Sequence, residues 1–259
     1  MQNGIYSFRA FIKKELMEGI RTQKFLVLAI GILFFSIADP VLLKFMPEIL
    51  KSQAQGIDFS SFINLTQTGA LVNYTKSLYQ IGTFIIAFSL MGIIGAEISN
   101  KTLTIPMSMG CRVRGILIGK LLVYGGYLVV LTLTGLTIAY IYSGQIFSPD
   151  PISYLSIIKA GLLYAIFYIF IVSILMLMNS LVEKPYIAGI VALLISYGMP
   201  LLGNINGLGK YIPNALITEA NRFNMEFTSE LLITLICTLV IIITINIITG
   251  LRLKKISYI

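Results

Sequence analysis

Leu121–Pro149, LLVYGGYLVVLTLTGLTIAYIYSGQIFSP, is a run of 29 residues without one charged side chain. An α-helix needs roughly 20 consecutive apolar residues to cross the hydrocarbon of a bilayer. Inside that hydrocarbon no water pairs with backbone N–H and C=O groups, so helices and closed barrels are the two spanning solutions. A barrel strand alternates lipid-facing and lumen-facing side chains with a period of two. The core of this run, Leu128–Tyr142, lacks that alternation. It reads as a transmembrane helix.

Five further uncharged apolar runs flank it: Phe25–Ala38, Ser77–Ala96, Ala160–Val182, Pro185–Gly209 and Leu231–Leu251. The first is the shortest and must continue through Asp39-Pro40 to about Leu43 to reach the far side. Pro40 lacks an N–H donor and is expected to kink or end the regular helix there. Asp39 is expected close enough to the outer surface to be hydrated, although an acid at membrane depth is a functional candidate. The chain is 57% hydrophobic and 12% charged, and soluble domains carry roughly twice that charge. The fold class is therefore an all-α integral membrane protein. We expect six transmembrane helices preceded by an N-terminal amphipathic interfacial helix, in one transmembrane domain over residues 1–259.

The net charge of +8 invites a nucleic-acid partner, but its distribution argues against one. With the N-terminus inside, six spans place 13 of the 19 basic residues on the cytoplasmic side, against 4 of the 11 acids. The other side keeps 6 basic and 7 acidic residues. This positive-inside bias predicts a multi-pass protein of the cell membrane with both termini cytoplasmic. Cys111 falls on the cytoplasmic side and Cys237 inside the last span, so no disulfide framework is expected. Ser36-Ile37-Ala38 mimics a signal-peptidase site, but the segment before it is too long and too helical for a leader, and it is read as uncleaved.

Before the first span, Ile5, Phe8, Ile12, Leu16 and Ile20 recur at spacings of three and four. They form one apolar stripe, with Arg9, Lys13, Lys14, Glu18 and Arg21 on other faces. Residues 3–24 therefore read as a helix lying in the headgroup layer, its cations toward anionic lipid. Membrane lipid is thus an expected partner.

Upstream of the quoted run lies Glu97–Lys120, EISNKTLTIPMSMGCRVRGILIGK, polar and basic between two apolar runs. Pro106 restricts Ile105, so residues 102–107 are weakly helical at best, whereas Cys111–Lys120 can run helically into the third span. Gly115 and Gly119 form a small-residue packing face. Gly115-Ile-Leu-Ile-Gly119-Lys120 is not a phosphate loop: that motif needs four residues between the glycines and Ser or Thr after the lysine. The segment 203–229, between the fifth and sixth spans, carries Gly203, Gly207, Gly209 and Pro213. Its apolar residues Leu201, Leu202, Ile205, Leu208, Tyr211 and Ile212 suggest short or re-entrant helices buried in protein.

The sequence has no histidine, which removes the usual general base and most zinc sites. We expect no catalytic residue, no metal site and no cofactor-binding residue in this chain.

The loop resembles the signature of the transmembrane subunits of type-2 ATP-binding-cassette exporters, the ABC-2 permeases. Glu97 takes that pattern's glutamate, Thr102-Leu103 its Thr-Leu, Arg112 its arginine and Gly119-Lys120 its closing pair. Lys101 stands where the pattern has glycine, and Met109 where it has proline. The basic N-terminal helix, the Pro40 and Pro47-Glu48 run and Tyr211-Ile-Pro213 are also similar to the family. The resemblance implies an ABC transporter permease with residues 97–114 holding a cytoplasmic coupling helix. Glu97, Thr102, Leu103, Arg112, Gly119 and Lys120 would form the ATPase-coupling set, with Glu97 and Arg112 pairing charges on the partner and Thr102 and Leu103 in packed contact. It implies two soluble P-loop ATPase subunits carrying ATP and Mg, and a second permease chain, identical or homologous. The alternative is a self-contained secondary transporter or channel, and an intramembrane enzyme built on Asp39 is a third reading.

Overall fold

Each apolar run can satisfy its backbone in lipid only by coiling on itself, and helices dominate the chain. The computed structural model describes residues 2–53, 64–108, 112–182, 184–203, 205 and 207–256, and among these there is no strand. In chain order the helices are α1 (Gln2–Arg21), α2 (Lys24–Gln53), α3 (Gln67–Ser77), α4 (Thr83–Ser89), α5 (Gly95–Ser99), α6 (Thr104–Ser108) and α7 (Val113–Lys120). They continue with α8 (Gly126–Ile146), α9 (Tyr154–Leu181), α10 (Pro185–Gly203), α11 (Ala215–Ala220) and α12 (Ser229–Ile256). Among the described residues, five helices are long and apolar enough to cross a membrane: Lys24–Ile49, Val113–Ile146, Tyr154–Leu181, Pro185–Gly203 and Ser229–Lys255. The protein is a helical membrane protein in outline.

The run Ser77–Ala96 is not one regular helix. Helix α3 passes through a π turn at Leu78–Gly82 into α4, and the chain then turns at residues 90–94 before α5. This stretch extends from Thr68, bonded to Asp150, to Gly92, beside Pro185. A second π turn, Leu121–Gly125, joins α7 to α8 without a break. Such turns widen the hydrogen-bond ladder locally. Both lie against the same level of α9: the Tyr168 hydroxyl donates to Leu78 O at 2.7 Å, and a Cβ added to Gly125 would lie 3.1 Å from Ile169.

Helix α9 is the hub. Tyr164, Phe167, Tyr168, Ile171, Val172 and Leu175 are all buried. A buried tyrosine hydroxyl needs a partner, and here the partners are carbonyls of other helices: Thr75 O for Tyr164 and Ile32 O for Tyr74. These bonds tie α2, α3 and α9 into one core.

Two expectations are corrected. Helix α2 runs on through Pro40 and Pro47 to Gln53, because neighbouring helices can shelter a carbonyl that a proline leaves unpaired. Asp39 therefore lies well inside the helix rather than at a hydrated end; it is buried, against Ser77, and its Oδ2 has no hydrogen-bond partner among the described residues. The segment 203–229 does hold a short helix, α11, packed on α9 through Leu216 and Ile217. However, Leu201, Leu202, Ile205, Leu208 and Tyr211 are exposed, Leu201 by 73%, and of that set Ile212 alone packs against the core. Cys111 and Met109 lie outside the described residues, as do residues 54–63 of the outer segment 51–76.

Candidate functional site: a buried ion cluster under an elbow

Helix α1 ends at Arg21, and Gln23 takes the left-handed conformation (φ 58°) at the turn into α2. Helix α1 packs on α7. Phe11 is buried there, and a Cβ on Gly119 would lie 2.7 Å from its ring. Gly119 thus packs on α1, a specific use of the small-residue face the sequence suggested. The expected stripe is split by this packing. Phe8 and Ile12 are half-buried, whereas Leu16 and Ile20 are exposed, Ile20 by 68%. The buried face is Phe11, Glu15 and Gly19 instead.

Glu15 explains why. The Lys120 ammonium donates to both of its carboxylate oxygens, each at 2.9 Å, and both side chains are 0% exposed. Lys120 also lies 3.1 Å from Glu97 Oε2, an ion pair without hydrogen-bond alignment. Lys14 donates to Glu97 Oε1 and to Glu15 Oε1, and pairs with Glu18 at 2.7 Å. Lys24 reaches Glu18 at 3.4 Å. Three lysines and three glutamates thus balance within one cluster. A buried charge is costly unless paired and hydrogen-bonded, and here the charges satisfy one another.

The electrostatics follow from this geometry. Burial works against the charge of Lys14, but bonds to Glu15, Glu18 and Glu97 override it and hold its pKa well above the usual lysine value. Burial likewise works against ionised Glu18, and the hydrogen bond and charge of Lys14, with Lys120 and Lys24 behind, outweigh it and lower its pKa. Oxygens of Glu15, Glu18 and Glu97 gather within 4.8 Å of one another, a spacing a metal ion could bridge. Three ammonium groups, those of Lys14, Lys24 and Lys120, already pair with them, so the charges balance without one.

Glu97 carries the elbow. Its carbonyl accepts from Thr102 N at 2.9 Å and from the Thr102 hydroxyl at 3.4 Å. This closes a tight turn in which Lys101 is left-handed (φ 55°), a conformation open to glycine and strained for other residues. Lys101 is the position at which the exporter pattern has glycine. Helix α6 follows, with the Thr104 hydroxyl donating to Lys101 O at 2.8 Å. A cavity of about 460 Å³ lies between this elbow and α1, lined by Lys14, Glu18, Glu97, Asn100, Thr102 and Ile105 among others.

The six expected coupling residues therefore do not share one outward surface. Glu97, Gly119 and Lys120 meet inside, and Leu103 is buried in the core, while Thr102 and Arg112 are exposed. The expected pairing of Glu97 with an external charge is corrected: both of its oxygens face lysines of this chain. The expected outward contact of Leu103 is corrected too. Ile105, 58% exposed on α6, is the apolar side chain the elbow presents. Sequence reasoning missed Phe11, Glu15 and the inward role of Lys14. The available signal was an acid on a basic helix, next to Leu16 of the apolar stripe, and a lysine at the edge of a 29-residue uncharged run.

No known protein-family profile matches the chain. Over 167 residues it is 25% identical to the uncharacterized transmembrane protein YxlG of Bacillus subtilis (strain 168), a match covering 63% of this chain. The chain spans 64% of the length of that relative.

Proposed function

We propose that this chain is the transmembrane subunit of an ATP-binding-cassette exporter of the ABC-2 type, moving a substrate under the drive of a separate ATPase. The single observation that carries this reading is the elbow at 97–108, an exposed apolar contact seated on a buried ion cluster. Ile105, Thr102 and Arg112 offer a surface to a soluble partner. Glu97 links that surface to α1 through Lys14 and to the base of the third span through Lys120. A push on the elbow is then delivered to helices rather than absorbed by a loose loop. The loop resemblance supports the same role.

In this reading the α3–π turn–α4 stretch over residues 67–89 is a sixth span. The elbow end, which holds the termini of α9 and α12 and the basic excess, is cytoplasmic. The exposed, mixed basic and apolar face of α1 lies in the headgroup layer. Two such chains pair with two ATPase subunits, which hold ATP and Mg.

The test is reconstitution in nanodiscs with the soluble P-loop ATPase encoded beside it. The ATPase should co-purify, and Ile105→Asp or Arg112→Ala should abolish the change in hydrolysis caused by the membrane chain while leaving its melting temperature unaltered. Failure of any P-loop ATPase to bind, or unchanged coupling in both variants, would sink the reading. Asp39 favours a second reading, a self-contained carrier, because ionisable groups in spans mark ion and proton pathways. Solute flux in vesicles holding this chain alone, lost in Asp39→Asn, would establish it.

A further inference from the structure

We infer that the groove between α7 and α12 is a binding site for one anionic phospholipid of the leaflet on the elbow side. The inference rests on the membrane reading and not on ATPase coupling. The groove holds about 440 Å³. Its floor is Leu117, Ile242 and Gly250, and its open rims are Ile118, Ile243 and Ile247. A Cβ on Gly250 would lie 3.4 Å from Leu117, so any larger residue there would raise the floor.

Arg114 and Lys254 line the same cavity at one end, and no acidic side chain lines it among the described residues. Arg114 begins α7 and Lys254 ends α12, so antiparallel helices bring both cations to one mouth. From Lys254 to Ile243 is eleven residues, about 16 Å of apolar helix at 1.5 Å per residue. An apolar trough with a cationic mouth matches a phosphate head on an acyl tail, and basic pockets between spans on the cytoplasmic side bind such heads. A second copy of this chain is a poor occupant. A two-fold contact presents the same patch on both sides, which sets these cations against themselves.

The test is native mass spectrometry of the full chain in detergent, titrated with phosphatidylglycerol and phosphatidylcholine of equal acyl length. Each basic side chain near an anionic head is worth about fivefold, so the pair predicts roughly thirtyfold preference for phosphatidylglycerol. Arg114→Gln/Lys254→Gln should bring the preference close to parity, while the charge-matched Lys184→Gln/Lys210→Gln should keep it. No preference in the unaltered chain, or equal loss in both variants, would overturn the inference. So would Ile247→Cys cross-linking between copies in vesicles, on a background with both native cysteines replaced, since that would show the groove to be a chain–chain interface.

Discussion

Replacing Lys120 by methionine isolates the energetics of the cluster. The side chain is 0% exposed and supplies both hydrogen bonds from an ammonium to Glu15, itself 0% exposed. Methionine keeps the volume and removes the charge. Glu15 then retains Lys14 alone, through one oxygen, and Glu97 loses its second lysine. Removing one partner of a buried pair costs about 3–5 kcal/mol, because the other charge stays buried. In a chain of this size 1 kcal/mol moves the melting temperature by roughly 2–4 °C, so Lys120→Met should lower it by about 10 °C. Lys14→Met removes three bonds, yet its side chain is 44% exposed, and water can replace part of what is lost. Its cost should stay near 1 kcal/mol.

The double variant Glu15→Leu/Lys120→Met decides the argument. Replacing a buried pair with apolar residues of similar volume is often neutral or stabilising. Glu97 still has Lys14, so the double variant should melt within a few degrees of the unaltered chain. The four proteins form a double-mutant cycle, read by thermal unfolding in one detergent. If Lys120→Met melts with the unaltered chain, or if the double variant is as unstable as the single, the account of a mutually satisfied cluster is wrong.

Other outcomes follow from single positions. Asp39→Asn should raise the melting temperature, since it keeps a polar partner for Ser77 and removes a buried carboxylate whose Oδ2 has no hydrogen-bond partner among the described residues; a fall would mean the charge has a partner that matters. Lys101→Gly should leave stability unchanged or higher, and Lys101→Val should lower it by about 1 kcal/mol, because a β-branched side chain suits a left-handed residue worst. Hydrogen bonds from the Thr68 hydroxyl and backbone N–H hold the Asp150 pKa below the usual carboxylate value. A lowered folded pKa gives stability that is present above the unfolded value and is lost as pH falls through the folded one. Unfolding between pH 5 and 3 should therefore show a smaller acid-induced loss in Thr68→Val than in the unaltered chain. The raised pKa of Lys14 works the opposite way: its contribution is complete below the ordinary lysine value and disappears as pH rises through the folded one.

Five of the six expected spans were legible among the described residues, because burial in lipid imposes a length and a composition that a sequence displays directly. All but the last three residues of the run Leu121–Pro149 lie in the helix Val113–Ile146, and the segment 203–229 does contain a short helix. The expectation that the helix could end at Pro40 misled because a proline's penalty is a local property, whereas its tolerance depends on what surrounds α2. The stripe on α1 misled for a related reason. Apolar periodicity marks where a helix would meet lipid or core, but the partner here is a lysine 105 residues away, and no local pattern announces a pairing of that range. Glu15 bonded to Lys120 turns Phe11 and Gly19 inward and leaves Leu16 and Ile20 outside. Neither π turn has a sequence signal beyond the glycines that close them.

The cluster and the π turns divide the labour between stiffness and give. Glu97, Lys120, Glu15 and Lys14 join three separate segments through charges that cannot part without leaving one buried alone, so the base of the bundle resists shear. Immediately above Lys120 the ladder widens at Leu121–Gly125, and the preceding α3–α4 stretch widens at Leu78–Gly82. Both flank Tyr168 and Ile169 of α9. A helix bends where its ladder is interrupted rather than where it is regular. In the exporter reading, load applied at Ile105 passes undiminished through the ion-paired base and is converted to bending at these two turns, around α9 as the fixed post. Phe substitution of Tyr168 separates the parts: it removes the hydroxyl from Leu78 O and leaves the cluster untouched. It should alter the change in ATPase activity without weakening ATPase binding, whereas Ile105→Asp should weaken binding itself.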